Sequence, residues 1–300
     1  MLFITIWPIF ALICLGFALS SFKFPDAGFW PAAERINYFL LFPALLASNL
    51  ADAPIRDPSL LKLGGAIAVL ILTATALLML QRRLRPEPAA RFGPRLQAIV
   101  RFNVYLMLAT VASLVPDGGL ERAAIILAVA VPLVNVLSVM ALTDGSDRKS
   151  PLDLVRPIIR NPLILACLFG IFLALTGAGL PFGTGRFLDL MAQASLPLGL
   201  LCVGAALRPH AMLKDVSAFT KIAVARLLLM PCLAATVAWL FGLESAEAAV
   251  LVIFACVPTA PTAYVLTRQL GGDGPFMAGL ITSQTLLSVA TIPLVLALLL

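Results

Sequence analysis

Apolar runs of about twenty residues follow one another along almost the whole chain, and that is the length a helix needs to cross the hydrocarbon core of a bilayer. This feature restricts the fold severely. In hydrocarbon no water satisfies the peptide groups, so a segment can span only as a helix or as part of a closed barrel. The alternating ten-residue segments of a barrel are absent from the sequence. Of the 300 residues, 61% are hydrophobic and 12% are charged, about half the charged share of a soluble domain. The expected fold class is an all-α integral membrane protein.

Apolar windows between polar, proline- or glycine-bearing breaks give ten spans: 3–21, 35–51, 60–81, 96–115, 120–143, 158–177, 186–207, 217–241, 245–268 and 275–298. The first begins at Leu2 with no Lys or Arg ahead of it; it lacks the basic start of a signal peptide and is expected to remain as a helix. Cys14, Cys167, Cys202, Cys232 and Cys256 all fall within apolar segments and read as packing residues, with no disulfide, metal site or cofactor implied.

The basic excess, 21 Lys and Arg against 15 Asp and Glu, reads as a topology signal and not as a nucleic-acid footprint. With Arg101 assigned to the third connection, 16 basic residues fall in odd-numbered connections. Four fall in even-numbered ones, Arg56, Lys62, Arg122 and Arg186, and Arg226 alone lies inside a span. The positive-inside rule then puts the odd connections in the cytoplasm and both termini outside.

Internal repetition reinforces the span count. Pro8 and Gly16 of the first span recur as Pro162 and Gly170 of the sixth, Pro43 of the second recurs as Pro197 of the seventh, and the turn at 116–119 recurs at 270–273, all at an offset of 154 residues. Ordered matches at successive spans indicate duplication. The expected organisation is a first five-helix repeat over 1–145, a cytoplasmic linker at 146–154 and a second repeat over 155–300. Five is odd, so the second repeat enters the membrane inverted, as in secondary transporters whose substrate sites lie on interrupted helices near the midplane.

One stretch fits that expectation closely. "CVPTAPTAYVLTRQLG" (256–271) places Pro258 and Pro261 inside the ninth span. Neither donates a backbone N–H, and each crowds the carbonyl four residues earlier, so polar groups are freed where lipid cannot satisfy them. Two readings follow: a structural kink, or a site where freed carbonyls, Thr259, Thr262 and a half-helix N-terminus beyond Pro261 meet an anion. The offset places Asn103, in the fourth span, opposite this stretch. Its amide either binds a carboxylate or caps and glues helices. Asn103, Tyr105, Pro258, Thr259, Ala260, Pro261 and Thr262 are the candidate substrate-binding residues.

Secondary candidates are Asn49, Asn135, Arg226 and Gln284. The asparagines and Gln284, like Ser288, also suit helix-packing hydrogen bonds. Arg226 reads either as a counter-ion for an anionic substrate or as a side chain snorkelling to the cytoplasmic interface. Asp189 reads as interfacial, and His210 as a loop residue beside Arg208 and Lys214. With no carboxylate near the middle of any span, coupling to H+ or Na+ has no marker.

The ordered set "PIFALICLGFAL", "NYFLLFPALLASNL", "RFNVYLMLA", "VPLVNVLSVMAL", "RNPLILACLFG", "ASLPLGLLCVGAAL", "VPTAPTAYVLTRQLGGD" and "TSQTLLSVATIPLVL" runs over nearly the whole chain. It resembles the auxin efflux carrier family, in its bacterial branch, within the ten-helix transporters that also include the bile-acid sodium symporters. The resemblance implies that helices four and nine are broken and cross near the midplane in a transport domain. It further implies a scaffold of helices one, two, six and seven, a possible homodimer through helices two and seven, and small organic anions such as malate or malonate as substrates. The implied location is the bacterial cytoplasmic membrane, with lipid and substrate as partners. Family members often carry Gly or Pro just after the Asn of the fourth helix, whereas Val104, Tyr105, Leu106 and Met107 follow Asn103; the first crossover is therefore expected to be only weakly broken.

The leading functional expectation is a secondary carrier for a small carboxylate. A passive channel is the alternative. An intramembrane enzyme is disfavoured, because the chain has one histidine and neither H-E-x-x-H nor G-x-S-x-G.

Overall fold

The computed structural model describes residues 2–26, 28–51, 58–143, 161–180 and 183–299. The expected linker at 146–154 lies outside the described residues, as do Arg56, Arg148, Lys149, Arg156 and Arg160. No strand occurs among the described residues. The helices are α1 (Leu2–Ser21), α2 (Phe29–Ile36), α3 (Phe42–Ala51), α4 (Pro58–Leu84), α5 (Ala89–Val100), α6 (Val104–Leu114) and α7 (Gly119–Leu142). They continue with α8 (Pro162–Thr176), α9 (Thr184–Ala205), α10 (Val216–Val224), α11 (Met230–Leu240), α12 (Ser245–Cys256), α13 (Thr262–Gln269) and α14 (Gly274–Leu299). Seven stretches among the described residues are long and apolar enough to cross a bilayer, with Pro162–Thr176 and Ser245–Cys256 as shorter apolar helices.

Two passes contain a widened, π-helical turn: Asn37–Leu41 joins α2 to α3, and Ala225–Leu229 joins α10 to α11. Pro43 and Pro231 stand just beyond these turns. A proline cannot donate to the carbonyl four residues back and its ring crowds that carbonyl. One extra residue in the preceding turn relieves the conflict without ending the helix.

The helices pack as two groups. In the first, α1 lies on α9, α9 on α3 and α3 on α8; in the second, α4 and α5 lie on α7, α10 and α13 on α14, and α11 on α12. Within the first group two backbones touch where glycine permits it. A Cβ on Gly16 would fall 2.1 Å from the Leu201 carbonyl oxygen, and a Cβ on Gly170 would fall 3.1 Å from that of Ala47. Gly16 and Gly170 are 154 positions apart, and so are Ala47 and Leu201. The same close contact is made twice, each time between a glycine of one half of the chain and main chain of the other.

At one end of the second group, Arg122 Nε donates to Glu247 Oε1 at 2.7 Å, joining the first turns of α7 and α12. Glu247 is fully buried. Arg122→Ala leaves that carboxylate unpaired and is expected to cost about 2–3 kcal/mol, read as a lower unfolding midpoint in detergent. An unchanged midpoint would show that the pair contributes nothing.

Candidate functional site

Both expected crossing helices are interrupted, and the interruptions meet. Arg101, Phe102 and Asn103 separate α5 from α6, and 257–261 separate α12 from α13. The Asn103 backbone N–H donates to the Pro258 carbonyl at 2.7 Å, and the Phe102 and Phe254 rings pack tilted at 56° with centroids 4.4 Å apart. The first crossover is thus fully broken, contrary to the expectation of a weak break. No Gly or Pro is needed, because other side chains satisfy the groups that the break releases. Asn103 Oδ1 accepts the Leu106 N–H at 3.2 Å and starts α6 as an N-cap.

At the end of α5, three successive carbonyls are taken up from outside the helix. Thr259 Oγ1 donates to Gln97 O at 3.3 Å, Gln284 Nε2 to Ala98 O at 2.9 Å, and Arg226 Nη1 to Ile99 O at 2.8 Å. Gln284 Oε1 in turn accepts the Thr259 N–H at 3.0 Å. Arg226 also serves the end of α12, donating from Nε to Val257 O at 2.8 Å and from Nη2 to Phe254 O at 2.9 Å. The negative ends of both interrupted helices therefore rest on one guanidinium.

The positive ends face elsewhere. The starts of α6 and α13 open on a cavity of about 110 Å³, whose polar lining includes Tyr38, Arg101, Asn103, Asn135, Asn161 and Thr262. Phe42, Val131 and Val134 supply an apolar side. Arg101 donates to Gln97 Oε1 at 2.9 Å and to Asn135 Oδ1. The Asn103 amide nitrogen is buried and has no hydrogen-bond partner among the described residues. Tyr38 faces both Arg101 and the Asn161 side chain. A wider vestibule of about 890 Å³ adjoins, lined by Lys23, Asp26, Arg208, His210 and Tyr264 among others, and it shares Glu34 and Pro261 with the cavity.

Residues 148–296, which carry the whole second crossover, match the family model described as "Membrane transport protein". This stretch of the chain belongs to that family, the one of the auxin efflux carriers. An uncharacterized transporter of Methanothermobacter thermautotrophicus is 24% identical over 293 residues, covering 97% of this chain and 96% of that protein. A candidate malonate transporter of Rhizobium meliloti is 30% identical over 159 residues, covering 52% of this chain and 50% of its own length. The protein is accordingly a multi-pass membrane transport protein.

The structure sorts the candidate residues into two sets. Asn103, Tyr105, Ala260, Pro261, Thr262 and Asn135 line the cavity. Pro258 and Thr259 do not line it; they form the crossing point behind it, both buried. Gln284 braces that crossing, and Arg226, fully buried, neither borders the cavity nor reaches an interface. Asn49 donates to Leu45 O at 2.7 Å within its own helix. Ser288 likewise bonds Thr285 O, and exposed Asp189 accepts from half-buried Ser48 Oγ at 2.5 Å.

Arg101 requires a correction. Assigned above to the third connection, it stands in the interruption of the fourth span and lines the cavity. The charge bias becomes 15 to four, with Arg101 and Arg226 both inside spans. Sequence reasoning also passed over Tyr38, Asn161 and Glu34. For Asn161 the Asn-Pro pair was a usable signal: its Oδ1 accepts the Leu163 N–H at 2.9 Å and starts α8 beside the cavity.

Proposed function

We propose that the protein is a secondary carrier of a small carboxylate, built as two inverted five-helix halves and working by alternating access across the cytoplasmic membrane. The observation that carries this reading is the convergence on one cavity of two half-helix N-termini, the Arg101 guanidinium and an unpaired, buried Asn103 amide. N-termini favour negative charge, and a guanidinium offers a planar fork that matches a carboxylate. The twice-made glycine contact supports the two halves, and the packing of α1, α3, α8 and α9 supports a scaffold against which the crossover unit moves. The charge bias supports an orientation with both termini outside. In that orientation the vestibule opens to the cytoplasm, since the first and seventh connections line it. A three-carbon dicarboxylate is the first substrate to try, because one relative bears the name of a malonate transporter.

The test is counterflow of radiolabelled malonate, and of other mono- and dicarboxylates, in proteoliposomes. The expected result is saturable exchange. It slows roughly tenfold in Asn103→Ala, on the scale of one lost hydrogen bond, and at least as much in the double variant Pro258→Ala/Pro261→Ala. Correctly inserted variants that exchange as fast as wild type would remove the crossover from the substrate path. Flux that neither saturates nor shows counterflow would mark a channel.

A further inference from the structure

We infer that Glu34 carries a proton for this carrier, one for each anion that occupies the cavity, an inference that rests on the carrier reading above. Of the described residues that line the cavity and the vestibule, Glu34 and Pro261 alone border both, and only Glu34 is ionisable. It is half-buried on α2, one turn before Tyr38. Among the described residues no hydrogen bond or ion pair engages its carboxylate.

The groups around it fall on two sides. Toward the cavity stand Arg101, Tyr105 and Tyr38, and from α9 comes Cys202. Toward the vestibule stand Lys23, Asp26, Arg208, His210 and Tyr264. Glu34 and Arg101 line the same small cavity. A carboxylate substrate in this cavity shares it with Glu34, and two anions in a small, partly dry space repel each other. A proton on Glu34 removes the conflict. By linkage, an occupied cavity raises the affinity of Glu34 for a proton, and a protonated Glu34 raises the affinity for the anion by the same factor, about ten- to a hundredfold for charges so close.

The cycle balances. A proton from the vestibule bonds to one oxygen of the Glu34 carboxylate as the anion enters, and it leaves from that oxygen when the anion departs on the other side. Malonate dianion with one proton moves a single net negative charge.

The test uses malonate and the full-length protein in proteoliposomes loaded with a pH-sensitive dye. For wild type, a malonate pulse is expected to acidify the lumen, with about one proton per malonate, and exchange at equal pH on both sides is expected to quicken from about pH 8 to pH 6. In Glu34→Gln the remaining exchange is flat over that range and moves no protons. Glu34→Asp, which keeps the acid, still moves protons. Malonate exchange without proton movement in wild type, or proton movement retained by Glu34→Gln, overturns the inference and leaves the carrier standing. If Glu34→Gln does not fold, wild type and Glu34→Asp decide the matter by their proton movement. If wild type exchanges no carboxylate at any pH, the carrier reading falls and Glu34 falls with it.

Discussion

Arg226→Met is expected to lower the stability of the purified protein by about 3–5 kcal/mol, the scale seen when one side of a buried charged arrangement is removed. Replacing a buried ion pair by apolar residues of similar volume is often neutral, because both charged partners go. Here only one can go. The acceptors are the main-chain carbonyls of Ile99, Phe254 and Val257, and no substitution at residue 226 removes them. Each stranded carbonyl costs about 1–3 kcal/mol. Relief from keeping a guanidinium out of water offsets part of the sum, but not most of it. Arg226→Lys is expected to recover only a fraction, since an ammonium on a flexible stem does not reach two helix ends with a fixed fork. Thermal unfolding in detergent or nanodiscs measures both variants. A Met variant within about 1 kcal/mol of wild type would mean that water replaces the guanidinium, and the brace would lose its importance.

Arg101→Gln is expected to raise the KM for a carboxylate by about ten- to a hundredfold, the worth of one charge-assisted hydrogen bond of roughly 1.5–3 kcal/mol. Glutamine retains a donor for the Asn135 side chain, which Arg101 engages, so the fold is expected to hold. Arg101→Lys keeps the charge and is expected to fall between the two. Counterflow with malonate reports the loss, and the unfolding midpoint serves as the control. A wild-type KM in Arg101→Gln would mean that the anion is held by the helix ends alone.

The helical, membrane-crossing character was legible because bilayer thickness and apolar run length are tied together, and seven described stretches are long and apolar enough to cross. The second break was legible because prolines announce it. The first was not, and the reason is specific. Arg91, Pro94 and Arg95 made 89–95 look like a connection, yet those residues form the first turns of α5. Arg95 pairs with Glu87 at 2.9 Å, and Arg82 and Arg95 both lie over the Phe92 ring. Basic residues anchored in this way permit a helix to begin early, which moves Arg101 from an apparent edge into the interior.

Side-chain roles at the crossover were harder still. Thr259 and Gln284 carry the same donors and acceptors whether they bind a ligand or a carbonyl, and only the position of Gln97 and Ala98 decides between the two. Tyr38 enters the cavity through a turn whose width depends on a proline five residues later, and no local pattern at Tyr38 itself signals this.

The two glycine seats also bear on how such a molecule can move. Side chains repack when helices slide, but main chain pressed on main chain has nothing to repack. With Gly16 against Leu201 and Gly170 against Ala47, α1 with α9 and α8 with α3 behave as two welded struts. Any rearrangement that turns the cavity from one face to the other must then be absorbed where ordinary side chains meet, along the seams of α7 with α3 and α8 and of α6 with α1 and α9. Those seams, and not the welded pairs, are where substitutions should change turnover without changing what the cavity holds.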